Sequence, residues 1–465
     1  MPVRNIFIIA LTAVISLACY SAASKNRYAN LFAEALNVVD NQALKDIPRR
    51  KLFNSALQGM LQNMDEHSMY ITDEMFRVFD EDMKQEFGGV GFYVDNNPAT
   101  KRLTVLAPIP DSPAFEAGIQ AGDIIAEIDG KNTDGLDRSE AIELMRGPNG
   151  EAVKLVVERS SKRITMDLER AVISVPSVQG DFRNPDGSWN YFLESNPKIG
   201  YIRLLQFGVK SVDEIQVALA EVEKSREALV LDLRNNTGGL LDGAVAICDM
   251  FLDDSKTIVR IRGREARLLQ EEMATDRTVF DLKKPLVILV NRMSASASEI
   301  VAGCLQDHKR AVIVGEQSWG KGTVQHVISI ERGKSALKLT TARYWRPSGE
   351  YIDRSDEEAK KTGVWGVQPN EGCKIELTEE MLFENARQRN IRDLRGLVRA
   401  AGGEIPDRLK DNPNDDQKTD ETIIADPENQ STADQPATLL MPHVDQPLQK
   451  AIEIIESAMV KKAAA

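Results

Sequence analysis

Between residues 198 and 370, short apolar runs suited to complete burial alternate with segments of helix length. Ile199–Leu204, Ala228–Leu233, Leu286–Val290 and Ala311–Val314 read as strands, and Ser211–Lys224, Gly243–Phe251 and Ala297–Gln306 read as helices between them. A strand apolar on both faces cannot lie against water, so helices must cover it. The pattern predicts an α/β core: a mixed sheet with helices on both faces. Val324–Ile330 and Ala336–Ala342 add two more strands.

The chain has 465 residues, too many for one compact core. Its 42% hydrophobic and 28% charged residues are ordinary for a globular protein, so most of the length can bury a core. Six segments are expected. Residues 1–23 form a signal peptide or N-terminal anchor, and 24–84 a helical region with apolar residues at helical spacing. Residues 85–170 form a compact insert of short strands and two helices, and 171–405 the α/β core. Residues 406–444 form an acidic linker, rich in Asp, Asn, Pro and Ser over 408–438, and 445–465 a short amphipathic helix. The run Asp65–Ser68 is expected to cap a helix, and Gly88–Gly91 to form a glycine-rich turn before a strand.

The N-terminus pairs Arg4 with an apolar run from Ile6 to Ala18 and then small residues to Ala23. A cleaved leader and a retained anchor both fit, whereas Ser16-Leu17-Ala18 suit the third option, lipidation at Cys19, poorly; all three place the body outside the cytoplasm, in the periplasm or cell envelope. The net charge of −13 argues against nucleic acid as a partner. Four scattered cysteines and four histidines show no metal-ligand spacing, so no metal or other cofactor is expected.

Three segments carry chemistry. Ser294-Ala-Ser296-Ala-Ser298-Glu299 follows an apolar strand and opens a helix, where N–H groups favour developing negative charge, although a serine there serves equally as a helix cap. Gly320-Lys321-Gly322-Thr323 sets a lysine between two glycines. Desolvation there can make the lysine a base, but the same string fits a plain turn. It lacks the spacing of a phosphate-binding loop. Asp232 to Gly239 ends another apolar strand in two glycines, which can aim N–H groups into a crevice or simply turn the chain.

Together these strings resemble those of the carboxyl-terminal processing peptidases, or tail-specific proteases. The likeness runs from about residue 50 to 375 and is densest over Leu286–Gln325. It implies a serine endopeptidase with Ser296 as nucleophile, Lys321 as general base, Gln325 positioning the lysine, and the N–H groups of Gly239 and Ala297 as oxyanion hole. It also implies that 85–170 is a PDZ domain in which Gly88, Gly89, Val90 and Gly91 receive a peptide's terminal carboxylate while the next strand pairs with the peptide. Substrates would then be proteins or peptides with exposed C-termini. Exposed helices at both ends are compatible with a homodimer, and the N-terminus with membrane anchoring. Thr237 and Glu66 stand where the family often has proline, and His308-Lys309 where Asn-Gly is usual. Ser294→Ala and Ser298→Ala are expected to keep substantial activity. The competing readings are a histidine base, His326 or His308, and a catalytically silent PDZ adaptor or chaperone of the cell envelope.

Overall fold

The computed structural model describes residues 27–97, 100–184, 186–401 and 444–464, together with a few positions before residue 17. The leader and the 408–438 segment therefore lie outside the described residues, apart from those few positions. Among the described residues no helix is long and apolar enough to cross a membrane. The chain divides into two compact units, residues 1–77 with 325–341, and residues 78–324 with 342–465.

The first unit holds helices Arg27–Gln42 and Arg49–Gln62 and the strand Met69–Ile71, which pairs antiparallel with Ala336–Lys338. That strand departs from the all-helical expectation for 27–84. The run before it caps no helix. Asp65 accepts the N–H groups of His67 and Ser68, each at 2.8 Å, and the Ser68 hydroxyl at 2.6 Å. These bonds turn the chain into the strand, and with the Thr340 hydroxyl they hold the Asp65 carboxyl below its ordinary range although burial opposes them.

In the second unit, the insert is an antiparallel sheet of Phe92–Asn96, Leu103–Pro108, Ile124–Ile128, Ala152–Arg159 and Lys162–Glu169. Val105, Ile125, Ile128, Leu155 and Val157 form its core with Ala141 and Met145 of the helix Arg138–Met145. Gly88 and Gly89 belong to a strand, Glu86–Gly89, that pairs with Ala171–Ser174 where the chain leaves the insert. Only Val90 and Gly91 lie in the turn that follows. The strand holds glycine because a Cβ at Gly88 would lie 2.1 Å from the Gly147 carbonyl oxygen.

The α/β core is a mixed sheet of β1 (Val178–Gln179), β2 (Asn196–Leu204), β3 (Ala228–Asp232), β4 (Leu286–Val290) and β5 (Val312–Gly315). β2 to β5 run parallel, in register Ile199 to Ala228, Leu229 to Leu286 and Val287 to Val312, while β1 is antiparallel to β2. β3 and β4 are buried at every position, which is why their sequences are unbroken apolar runs. Helices α1 (Ser211–Ser225), α2 (Leu241–Asp249) and α3 (Ala297–Asp307) cover one face through Ile215, Leu219, Ile247, Val301 and Leu305. On the other face Ala451 and Ile455, from the C-terminal helix Gln446–Ala464, pack on Tyr201, Val230 and Leu289. A further helix, α4 (Glu379–Ala400), lays Ile391, Leu394, Leu397 and Val398 against Leu106 and Ala107 of the insert. A second sheet in this unit pairs Thr257–Arg262 with Leu268–Met273 and with residues 343–345, and the last two strands read from sequence, Val324–Ile330 and Ala336–Ala342, lie outside the parallel sheet.

Candidate active site

The chain leaves β4 at Val290, turns through Asn291–Ala295 and enters α3 at Ala297, so Ser296 sits at a strand-to-helix corner. Its backbone has φ 57° and ψ −116°, a region that residues with a Cβ rarely adopt. The corner is over-determined. The Asn291 side chain accepts the Asn235 N–H at 2.9 Å and donates to the Asn235 side-chain oxygen at 2.8 Å. Ser294 Oγ donates to the Leu233 carbonyl at 2.8 Å and accepts the Asn291 N–H at 3.0 Å, and Ser298 Oγ donates to the Asn236 carbonyl at 2.8 Å. The two flanking serines are therefore fully buried tethers to the loop after β3, whereas Ser296 is only partly buried.

That loop closes on the corner from the other side. Asn236 donates to the Leu204 carbonyl and accepts the Gly238 N–H, so its side chain fixes the path of the glycines. A Cβ at Gly238 would lie 2.8 Å from both the Ala295 carbonyl oxygen and Ser296 Cβ, and 3.0 Å from the Ala297 nitrogen. Only glycine permits this approach at φ 101°. Among the described residues the N–H groups of Gly239 and Ala297 have no acceptor.

Two buried side chains tie residue 296 to residue 321. Oε2 of Glu299 accepts the Ser296 N–H at 2.8 Å and the Lys321 N–H at 2.9 Å, while Oε1 accepts the Ser318 hydroxyl at 2.5 Å and the Gly320 N–H at 2.6 Å. Burial pushes the Glu299 carboxyl up from its ordinary value, and these four donors hold it back. The Tyr344 hydroxyl lies 3.3 Å from the Ser296 carbonyl oxygen and 2.5 Å from that of Lys321, and burial drives the phenol's ionisation well above its usual range. It therefore remains a donor. Glu299 holds the N–H groups of residues 296 and 321, and Tyr344 reaches their carbonyls. The glycines beside Lys321 are needed for this packing, since a Cβ at Gly320 would lie 2.5 Å from the Trp365 ring and one at Gly322 2.8 Å from that of Tyr351.

Neither Glu299 nor Tyr344 carries a role in the sequence reading. Ser296 and Glu299 have the spacing of a capping box, a legible signal for one of the four bonds. Glu299→Gln is expected to place an amide NH2 against one pair of these donors. At about 1–3 kcal/mol for each unpaired group, it should lose roughly 2–6 kcal/mol of stability. Turnover per folded molecule should fall with it. Urea unfolding and kcat check both, and unchanged values would show that the carboxylate does not hold the two segments together.

The other site residues fall as follows. Within the first unit Gln325 Nε2 donates to Thr340 Oγ1 at 3.2 Å, and Thr340 Oγ1 donates to Asp65 at 2.9 Å. His326 is exposed and bonded to Thr341 Oγ1. His308 caps the far end of α3, about 18 Å along the helix from Ser296, with its ring 2.7 Å from the Thr257 carbonyl oxygen. In the insert, Val90 is buried and accepts the Ala114 N–H through its carbonyl, and Gly91 turns with φ 84°.

Comparison with known proteins matches residues 198–371 to peptidase family S41 and residues 104–159 to a PDZ domain. A carboxy-terminal-processing protease of Bartonella bacilliformis is 38% identical over 364 residues, covering 75% of this chain and 79% of that protein. A carboxyl-terminal-processing protease of Synechocystis sp. is 36% identical over 309 residues, covering 64% and 68%. Among solved structures, a photosystem II D1 C-terminal processing protease shares 27% identity over 82% of this chain and 98% of its own, with a TM-score of 0.42.

Proposed function

Because the chain belongs to peptidase family S41, among the carboxy-terminal-processing serine proteases, we propose that it is an exported endopeptidase that recognises protein C-termini through its PDZ domain and cleaves near them with a Ser296–Lys321 dyad. The observation that carries the dyad is the double tie of Glu299 and Tyr344, which brings the main chains of residues 296 and 321 to common partners. In this mechanism the neutral Lys321 amine takes the Ser296 proton as Oγ attacks the scissile carbonyl. The N–H groups of Gly239 and Ala297 stabilise the oxyanion. Lys321 then protonates the departing amine, and water hydrolyses the acyl-enzyme by the same route. Gln325 orients the lysine, and its bond to Thr340 supports a fixed side chain.

The PDZ reading gives Gly88, Gly89, Val90 and Gly91 the terminal carboxylate and Phe92–Asn96 the peptide strand. Export rests on the leader-like segment up to Ala23, and placement in the periplasm or envelope, anchored or free, follows from it. Helix Arg27–Gln42 buries none of its residues and exposes Leu31, Val38 and Val39, which supports a homodimer.

A matched pair of peptides, one with a free C-terminal carboxylate and one amidated, tests the substrate class. The free acid should be cleaved, and a serine-directed covalent probe that labels the peptide containing Ser296 should block this. The amide should lose about 1.5–3 kcal/mol of binding, roughly tenfold or more in kcat/KM. Equal processing of the two would remove carboxylate recognition from the proposal.

A further inference from the structure

A cavity of about 500 Å³ lies beyond the carboxyl ends of β2 and β3, under α4, with Tyr93 of the insert on its wall. Four guanidinium groups line it, Arg183, Arg203, Arg234 and Arg389, against three carboxylates, Asp232, Asp393 and Asp445. Three of the four are paired: Arg203 with Asp393 at 2.7 Å, Arg234 with Asp232 and Asp445 at 2.6 and 2.7 Å, and Arg389 with Asp393 and Asp181 at 2.7 and 3.0 Å. Arg183 has no carboxylate within ion-pair distance among the described residues.

The fold holds Arg183 in place. Arg183 and Trp189 are opposed partners of a two-stranded hairpin, and the guanidinium stacks 3.9 Å from the indole ring centre. Gly396 of α4 makes room for the stem, since a Cβ there would lie 2.8 Å from Arg183 Cβ. A guanidinium stacked on its face presents its edges. Nη1 donates to the Gly187 carbonyl at 2.6 Å, whereas Nε is buried without an acceptor and Nη2 has none among the described residues. Nε and Nη2 form the edge that grips a carboxylate or phosphate with two parallel bonds. Two more donors on the wall, Arg203 Nε and Trp189 Nε1, are also buried and unpaired. Burial lowers the Arg183 pKa from its ordinary value, as expected for a cation short of a counter-charge.

We propose that this cavity binds a small oxyanion, a carboxylate or phosphate group, on the Nε–Nη2 edge of Arg183. An anion there restores the charge balance of the cavity and supplies acceptors to the unpaired donors. It would also touch the PDZ strand, α4 and the sheet at once, so its occupancy would link the position of the PDZ domain to the core.

The test uses the whole chain. Inorganic phosphate and sodium acetate are titrated separately at constant ionic strength set with chloride, which removes general screening. Heat release and the thermal midpoint report binding. Wild type should show saturable one-site binding of at least one anion, with the midpoint rising as the site fills. A response to phosphate alone assigns the site to phosphate groups, and a response to acetate as well assigns it to carboxylates. Arg183→Gln should weaken binding by about 10–100-fold, the worth of a charge-assisted pair of hydrogen bonds. Arg183→Lys keeps the charge but loses the fork. It should melt at the wild-type temperature without anion yet bind at least about tenfold more weakly, which keeps the test open if the glutamine variant does not fold. Arg262→Gln is the control, since Arg262 also has a buried unpaired Nε and packs over Trp345 but does not line the cavity. It should bind like wild type. No saturable binding of either anion, or binding that survives in both Arg183 variants, overturns the proposal and leaves the cavity to water.

Discussion

Ser296→Ala is expected to reduce peptide-bond cleavage by about 10⁴-fold or more, as removal of an activated serine does elsewhere, while the urea midpoint stays at its wild-type value. The second half follows from the geometry. The strained φ of 57° is imposed by the tethers around Ser296, and alanine carries the same Cβ into it. The bond that fixes the corner to Glu299 comes from the main-chain N–H, which alanine keeps. The flanking serines should behave in the opposite way. Ser294→Ala leaves the buried Asn291 N–H without a partner and takes one of two donors from the Leu233 carbonyl, which keeps the Asn236 N–H, while Ser298→Ala takes one of two donors from the Asn236 carbonyl, which keeps the Ala295 N–H. The orphaned N–H costs about 1–3 kcal/mol and each lost second bond about 0.5–1.5 kcal/mol, so both variants should be less stable, Ser294→Ala the more so, while the folded fraction stays active. Sequence alone expects both variants to keep activity, and the structure adds that the two serines are buried tethers of the corner. Residual cleavage in Ser296→Ala near the wild-type rate, measured on protein of matched unfolding midpoint, would move the nucleophile elsewhere.

The parts of this molecule that sequence makes legible are those whose information is local. β3 and β4 are buried on both faces, so Ala228–Asp232 and Leu286–Val290 announce themselves as unbroken apolar runs. The serine corner is legible for the same reason, because strand, small residues and helix follow one another directly. What stays hidden is assembled from distant segments. Three of the four bonds on Glu299 come from residues 318 to 321, and Tyr344 arrives from the second sheet, so no spacing near Ser296 reports them. α4 is concealed by its composition: of 22 residues, only Ile391, Leu394, Leu397 and Val398 form an apolar stripe against the insert, amid a surplus of arginine and glutamate. Several of those arginines meet acids far away in sequence, as Arg389 does with Asp181, and such pairing cannot be read from the helix itself. The glycine-rich turn begins two residues later than its first glycine suggests, because Gly88 answers to the Gly147 carbonyl pressing on it, a tertiary constraint, and not to a need for a turn.

Lys321→Arg should be as inactive as Lys321→Ala, each with kcat lowered about 10²–10⁴-fold, the usual worth of a general base. A serine hydroxyl needs a neighbour that can accept its proton, and an amine can do so only when neutral. An ordinary lysine titrates near pH ~10.4, whereas a guanidinium keeps its proton across the whole accessible range. Activity of the wild-type enzyme should therefore rise with pH as the neutral amine is populated, and neither arginine nor alanine can restore that limb. The fold should not be at stake in either variant. Glu299 takes the Lys321 N–H and Tyr344 its carbonyl, so the backbone at 321 is held by bonds that neither variant removes. Loss of kcat with an unchanged urea midpoint is thus the expected signature, and it separates a chemical role from a structural one. Histidine-modifying reagents and metal chelators should leave the wild-type rate alone, since the His308 ring lies against the Thr257 carbonyl at the far end of α3 and His326 lies exposed beside Thr341. If Lys321→Arg turns over at close to the wild-type rate, positive charge is all that position supplies. The proton must then go to another group, and His326, one residue beyond Gln325, is the first to replace.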